Sequence, residues 1–107
     1  MLWTVETLNA AVVAEIEALP KDMRARLSRF TSVIERVGFV GLPRESVKHL
    51  EDKLWELRIT GRDGISRAIY VTASGRRVVI VRVFIKKSQK TPLHELELAR
   101  RRAKEVE

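Results

Sequence analysis

The 107-residue chain predicts an α+β domain with the order β-α-α-β-β-β-α. Three observations lead there: apolar positions recur at helical spacing through the first half, at a period of two across three segments between Leu54 and Lys86, and at helical spacing again after Pro92. No repeat, linker or low-complexity stretch divides the chain, so residues 1–107 read as one domain. A chain of this length buries roughly 60–70% of its unfolded surface, enough for a single core.

Leu2-Trp3-Thr4-Val5 alternates and predicts a short opening strand. Leu8, Val12, Ile16 and Leu19 then follow helical spacing, with Thr7 or Asn9 as the N-cap. Pro20 interrupts that pattern and suits the first turn of a second helix. Met23, Leu27, Phe30, Ile34 and Val37 draw one apolar stripe along it, and Gly38 stops it. These two helices predict a hairpin packed on one face of an antiparallel sheet. Gly41-Leu42-Pro43 opens an irregular stretch that Val47 and Leu50 pin to the core. From Leu54, the residues Trp55, Leu57 and Ile59 alternate with Glu56 and Arg58. Gly61-Arg62-Asp63-Gly64 is turn chemistry. Arg67 to Ala73 and Arg77 to Lys86 supply two more strands, joined through Ser74-Gly75. Val78 to Ile85 is β-branched and apolar on both faces, as expected of a central strand. Thr91-Pro92 reads as N-cap and first-turn proline of a closing helix marked by Leu96, Ala99, Ala103 and Val106.

The net charge of +7 is unevenly placed. Residues 1–53 and 91–107 each sum to zero, whereas residues 54–90 hold nine Lys/Arg against Glu56 and Asp63 alone. A concentrated positive field suits a polyanion, and phosphate neutralisation supplies most of the sequence-independent affinity for nucleic acid. A solvated basic sheet edge that deters strand aggregation would carry the same charge. The absence of cysteine excludes disulfides, thiolate metal sites and a cysteine nucleophile. The longest apolar run is far short of the ~18–20 residues that cross a bilayer, and the N-terminus lacks the layout of a signal peptide. A small basic cytoplasmic protein with no membrane contact is expected.

Catalytic equipment is sparse. His49 and His94 match no metal-ligand spacing and read as ordinary surface or boundary histidines. There is no phosphate-cradling glycine loop, no Gly-x-Ser-x-Gly and no dinucleotide motif, so neither a metal nor a cofactor is expected. What remains is a polar sheet face built from long cations. Glu56 and Arg58 share a face of one strand, and Arg82, Phe84 and Lys86 share a face of another. Arg82 is the least expected residue of its strand. An unpaired buried guanidinium costs several kcal/mol, so its face must be open, paired or functional. Arginine and lysine together can hold a phosphodiester and stabilise its transition state.

Four ordered segments resemble the phage-type HigB branch of the RelE/ParE toxin superfamily: Leu54-Trp55-Glu56-Leu57-Arg58, then Arg67-Ala68-Ile69-Tyr70, then Val83 through Pro92, then Glu95 through Arg102. The resemblance runs from about Trp3 to the end. It implies a RelE-like fold and the toxin of a type II toxin–antitoxin pair, neutralised by a HigA-like helix-turn-helix antitoxin. It also implies cleavage of mRNA on the ribosome, with the RNA 2′-hydroxyl as nucleophile and basic residues in place of a histidine pair. Carried over, Arg67 matches the family's strand arginine, Lys86 and Lys87 its lysine pair, and Arg58 the arginine closing the first motif. Arg67 and Lys86 are the expected catalytic residues. Arg58, Arg82, Lys87 and Lys90 are expected to contact RNA, and Glu56 is an acid–base candidate. Ala68 departs from the family by separating Arg67 from the aromatic position, which directs Tyr70 towards the core. Two other functions remain open: a ParE-like inhibitor of DNA gyrase, and a decayed prophage protein that only binds its antitoxin.

Overall fold

The computed structural model describes residues 2–86 and 90–106. Strand β1 (Thr4–Thr7) leads into helices α1 (Ala10–Glu17) and α2 (Lys21–Val37). Two single 3₁₀ turns follow, then β2 (Val47–Glu51), β3 (Leu54–Gly61), β4 (Gly64–Ala73), β5 (Arg77–Lys86) and α3 (Leu93–Ala103). Among the described residues no helix is long and apolar enough to cross a membrane.

The strands form one sheet in the order β1-β5-β4-β3-β2. Neighbours from β5 to β2 are antiparallel, but β1 runs parallel to β5, so the sheet is mixed where a purely antiparallel one was expected. The α1–α2 crossover makes this arrangement reachable, because it carries the chain away from β1 before the meander begins. β4 occupies the centre, and β5 lies one place away from it. The apolar character of β5 on both sides has a different cause: helices cover both faces. Val12 of α1 and the α2 stripe pack with Leu57, Ile59, Tyr70, Val78 and Ile80 on one face. On the other face α3 brings Ala99 and Leu96 against Leu54, Ile69, Val71, Val79 and Val81.

Local chemistry explains the helix boundaries. Asn9 caps α1 by accepting from the Val12 N–H at 3.1 Å. Met23, Leu27, Phe30 and Ile34 are buried as their spacing predicts, each worth about 1.5–3 kcal/mol of apolar burial. Val37, placed in the same stripe, is instead 52% exposed, because α2 ends beside it at Gly38, whose φ is +83°. Gly61 brings α2 unusually close to the end of β3. A Cβ there would lie 2.7 Å from Met23 Cγ and 2.9 Å from Asp22 Oδ2.

Strand β2 falls in the stretch expected to be irregular. Its register shifts between His49 and Glu51, and Lys48 and His49 are exposed, so the segment has no clean alternation to read. A second shift, between Ile69 and Tyr70, pairs Ile69 with Arg82 but Tyr70 with Ile80, leaving Val81 bulged. Alternation along β5 therefore breaks at Val81: Val81 and Phe84 face α3, whereas Ile80 and Val83 face α1 and α2.

Candidate functional site

The register places the polar residues singled out in the sequence on the α3 side of the sheet. Arg58 pairs across strands with Arg67, and Glu56 with Ile69. Arg67 in turn faces Phe84, Ile69 faces Arg82, and Ile65 faces Lys86. Direct cross-strand partners share a face, so Glu56, Arg58, Arg67, Arg82 and Lys86 form one surface beneath and beside α3.

These residues do not stand in equivalent states. Arg67 is 1% exposed and ion-paired with Glu56, which is wholly buried. Arg67 also donates to the Thr91 hydroxyl at 3.1 Å, and that hydroxyl donates to the second Glu56 oxygen at 3.3 Å. Thr91 thus closes a three-residue polar cluster instead of capping α3. Pro92 takes the cap position, with no side-chain hydrogen bond. Without each other, Arg67 and Glu56 would each be a buried charge costing several kcal/mol.

Arg82 is also paired, as one of the sequence-level options for it required. It donates to the two oxygens of Glu95 at 2.6 and 3.1 Å and lies 2.9 Å from Glu15. Bonding to Glu95 and the charge of Glu15 hold its proton more tightly than usual. Glu15 also meets Arg102, at 2.8 Å. The same two side chains serve the edge of β5 beyond Ile80, where β1 stops pairing: Glu15 accepts from the Val83 N–H at 3.0 Å and Arg102 donates to the Val81 carbonyl at 2.9 Å. Both carboxylates thus offset the charge of Arg82, the arginine that shares its strand face with Lys86.

Arg58 and Lys86 are half-buried and make no ion pair among the described residues. Arg58 lines a cavity of about 250 Å³. Lys90 is exposed beside the start of α3, and Lys87 lies outside the described residues. His49 packs on Trp55 with ring centroids 4.8 Å apart, and His94 is exposed on α3, so the two are not brought together. Tyr70 is 2% exposed and stacks on Phe39, on the opposite side of the sheet from Arg67. Burial pushes its hydroxyl pKa well above the normal range. Among the described residues no group of three or more His, Asp or Glu side chains is placed to hold a metal ion.

Sequence reasoning missed Glu15, Thr91, Glu95 and Arg102 as parts of this face. Glu95 carried a readable signal, since it precedes Ala99 by four positions and so places a carboxylate on the buried stripe of α3.

This sheet, with its helical hairpin on one face and closing helix on the other, is a RelE-like fold. A chain of the archaeal RelE–RelB complex from Pyrococcus horikoshii OT3 superposes with a TM-score of 0.54 at 23% identity, over 79% of this chain and 96% of that one. The family model described as phage-derived protein, Gp49-like (DUF891), matches residues 14–104, and the protein belongs to that family. A search of curated proteins finds no significant match.

Proposed function

We propose that the protein is the toxin of a type II toxin–antitoxin pair and acts as a ribosome-dependent mRNA endoribonuclease. The observation that carries this reading is the α3-side face, where a carboxylate, three arginines and a lysine lie on adjacent strands of a RelE-like sheet. In the proposed reaction Glu56 takes the proton of the RNA 2′-hydroxyl as that oxygen attacks the adjacent phosphorus. The bond from phosphorus to the 5′ oxygen breaks, and Lys86 delivers a proton to the leaving oxygen. The products are a 2′,3′-cyclic phosphate and a 5′-hydroxyl. Arg67 neutralises the charge that builds on the phosphoryl oxygens, and Arg58, Lys87 and Lys90 hold the flanking backbone. Arg82 acts at one remove by fixing β5 to α1 and α3.

Glu56 and Arg67 reach substrate only when Thr91 and the start of α3 move off them. The partner that blocks this surface is a HigA-like helix-turn-helix antitoxin, and the cytoplasm is the compartment where both partners and ribosomes meet. The burial of the Arg67–Glu56 pair favours one other reading, a protein that retains the fold and binds its antitoxin without cutting RNA. Induced expression followed by mapping of mRNA 5′ ends decides between them. Cuts inside translated codons that vanish when initiation is blocked support the nuclease. Growth with intact mRNA supports the binding-only protein, and DNA breaks with intact mRNA point to gyrase.

A further inference from the structure

Part of the positive charge that makes no ion pair among the described residues lies along the sheet edge, away from the buried pair. β2 pairs with β3 only as far as Leu57, so β3 beyond that point is a free edge, flanked by α2 and the 3₁₀ turn Arg44–Ser46. Two concavities, of about 250 and 390 Å³, adjoin along this edge and share Arg26 and Thr60 as lining residues. Arg58 and Ser46 line the first, and Arg29 and Arg62 line the second. Among the described residues none of these four arginines has a carboxylate within ion-pair distance, whereas Arg67, Arg77, Arg82, Arg100 and Arg102 all do. Arg26 is half-buried over the Phe30 ring, and its buried Nε has no hydrogen-bond partner among the described residues.

Two acids also line the groove. Asp22 is committed to the backbone, accepting from the Arg62 N–H at 2.6 Å and the Met23 N–H at 2.9 Å. Glu45 is exposed and makes no ion pair among the described residues. Four guanidiniums against these two carboxylates leave a net cationic trough. Arg58 and Arg62 are four residues apart along β3 and its turn, roughly 10 Å or more of extended chain. A single phosphate ion cannot span that length, and a strand of linked phosphates can. Planar, always-charged guanidiniums match phosphate oxygens in pairs.

We infer that the groove between α2 and the free edge of β3 is a second RNA-backbone site, in which Arg26, Arg29, Arg58 and Arg62 hold successive phosphates of a single strand. It extends the proposed nuclease face around the sheet edge through Arg58, and to that extent rests on the RNA reading. Arg26 and Arg29 come from the half of the sequence with no net charge, so composition alone hides them.

The test is binding of a fluorescent single-stranded RNA oligonucleotide across a salt series. It compares the full chain, the double variant Arg29→Gln/Arg62→Gln, and a charge-matched control, Arg36→Gln/Arg101→Gln, at exposed positions outside the groove. Arg29 and Arg62 are themselves exposed, so the double variant leaves the core intact, and Arg26→Lys supplies a further variant that keeps the charge but loses the planar fork. The groove variant is expected to bind several-fold more weakly, with a salt slope shallower by about 0.7 for each phosphate contact removed, while the control changes little. Equal losses in groove and control variants would overturn the groove while leaving the RNA reading in place. Displacement of the RNA by inorganic phosphate at matched phosphate concentration would likewise overturn it, in favour of a free-anion site. No RNA binding by the unaltered chain would overturn the RNA reading and the groove together.

Discussion

Arg67 and Glu56 form an ion pair beneath Thr91, with 1% and 0% of their side chains exposed. An arginine and a glutamate on a basic strand face read as solvent-facing, yet these two are among the largest fully buried side chains of the domain. Thr91, two residues ahead of α3, lies over them. The pair is therefore both part of the proposed site and a structural element of the resting fold.

Removing one member should be far worse than replacing both. Arg67→Met or Glu56→Leu alone should destabilise the domain by about 3–5 kcal/mol, because each leaves a buried charge without its partner. The double variant should cost much less than the sum. Urea unfolding of the four proteins measures the coupling, and additive effects would mean that the two charges are solvated independently.

The Glu15–Arg82–Glu95 cluster makes a second stability prediction. In Arg82→Met, Glu95 loses its guanidinium partner and Glu15 keeps Arg102 and the Val83 N–H. The variant should be less stable by about 1.5–3 kcal/mol in urea unfolding, as expected for charge-assisted hydrogen bonds. A loss no larger than that of an exposed control, Arg101→Met, would show that Arg82 contributes packing alone.

Asp22 makes the pH-dependent prediction. The Arg62 backbone N–H, foremost among its contacts, holds its carboxyl below the ordinary value of 3.8. A group depressed in the folded state stabilises above its unfolded pKa and loses that contribution as pH falls through the folded one. The natural chain should therefore lose stability more steeply below about pH 4 than Asp22→Asn. Urea midpoints from pH 2 to 6 provide the comparison, and parallel curves would exclude the contact.

Gly61→Ala should cost about 1–3 kcal/mol, since the added methyl would push α2 away from the end of β3 at Met23 and Asp22. Gly61→Ala with Met23→Ala, which opens space for that methyl, should show a favourable interaction energy between the two sites in thermal unfolding. Strict additivity would contradict the close approach.

Much of the fold was legible because one period dominates each segment. The spacing of Met23, Leu27, Phe30 and Ile34 could only be a buried helix face, and Trp55, Leu57 and Ile59 could only be a strand. What escaped notice depended on partners remote in sequence. β2 has exposed Lys48 and His49 and a register shift, so it shows no alternation. The bulge at Val81 is invisible because Val78 to Val81 are apolar on both faces and give no alternation to break. The parallel pairing of β1 depends on where the helical hairpin returns the chain. At the site, the residues sharing the α3-side face could be read from alternation, but their states could not. Arg82 is neutralised by carboxylates from α1 and α3, and Arg67 is covered by Thr91, whose proximity to Pro92 made it look like a helix cap.

Single-turnover cleavage of mRNA on programmed ribosomes, with ribosome binding measured separately, tests the central claim most directly. Lys86→Ala, Arg67→Ala and Glu56→Gln, each first shown to be folded, should bind with little change and cut at least about tenfold more slowly, as expected of groups that act on the transition state. Near-natural cleavage rates in all three folded variants would contradict the α3-side face as the seat of catalysis.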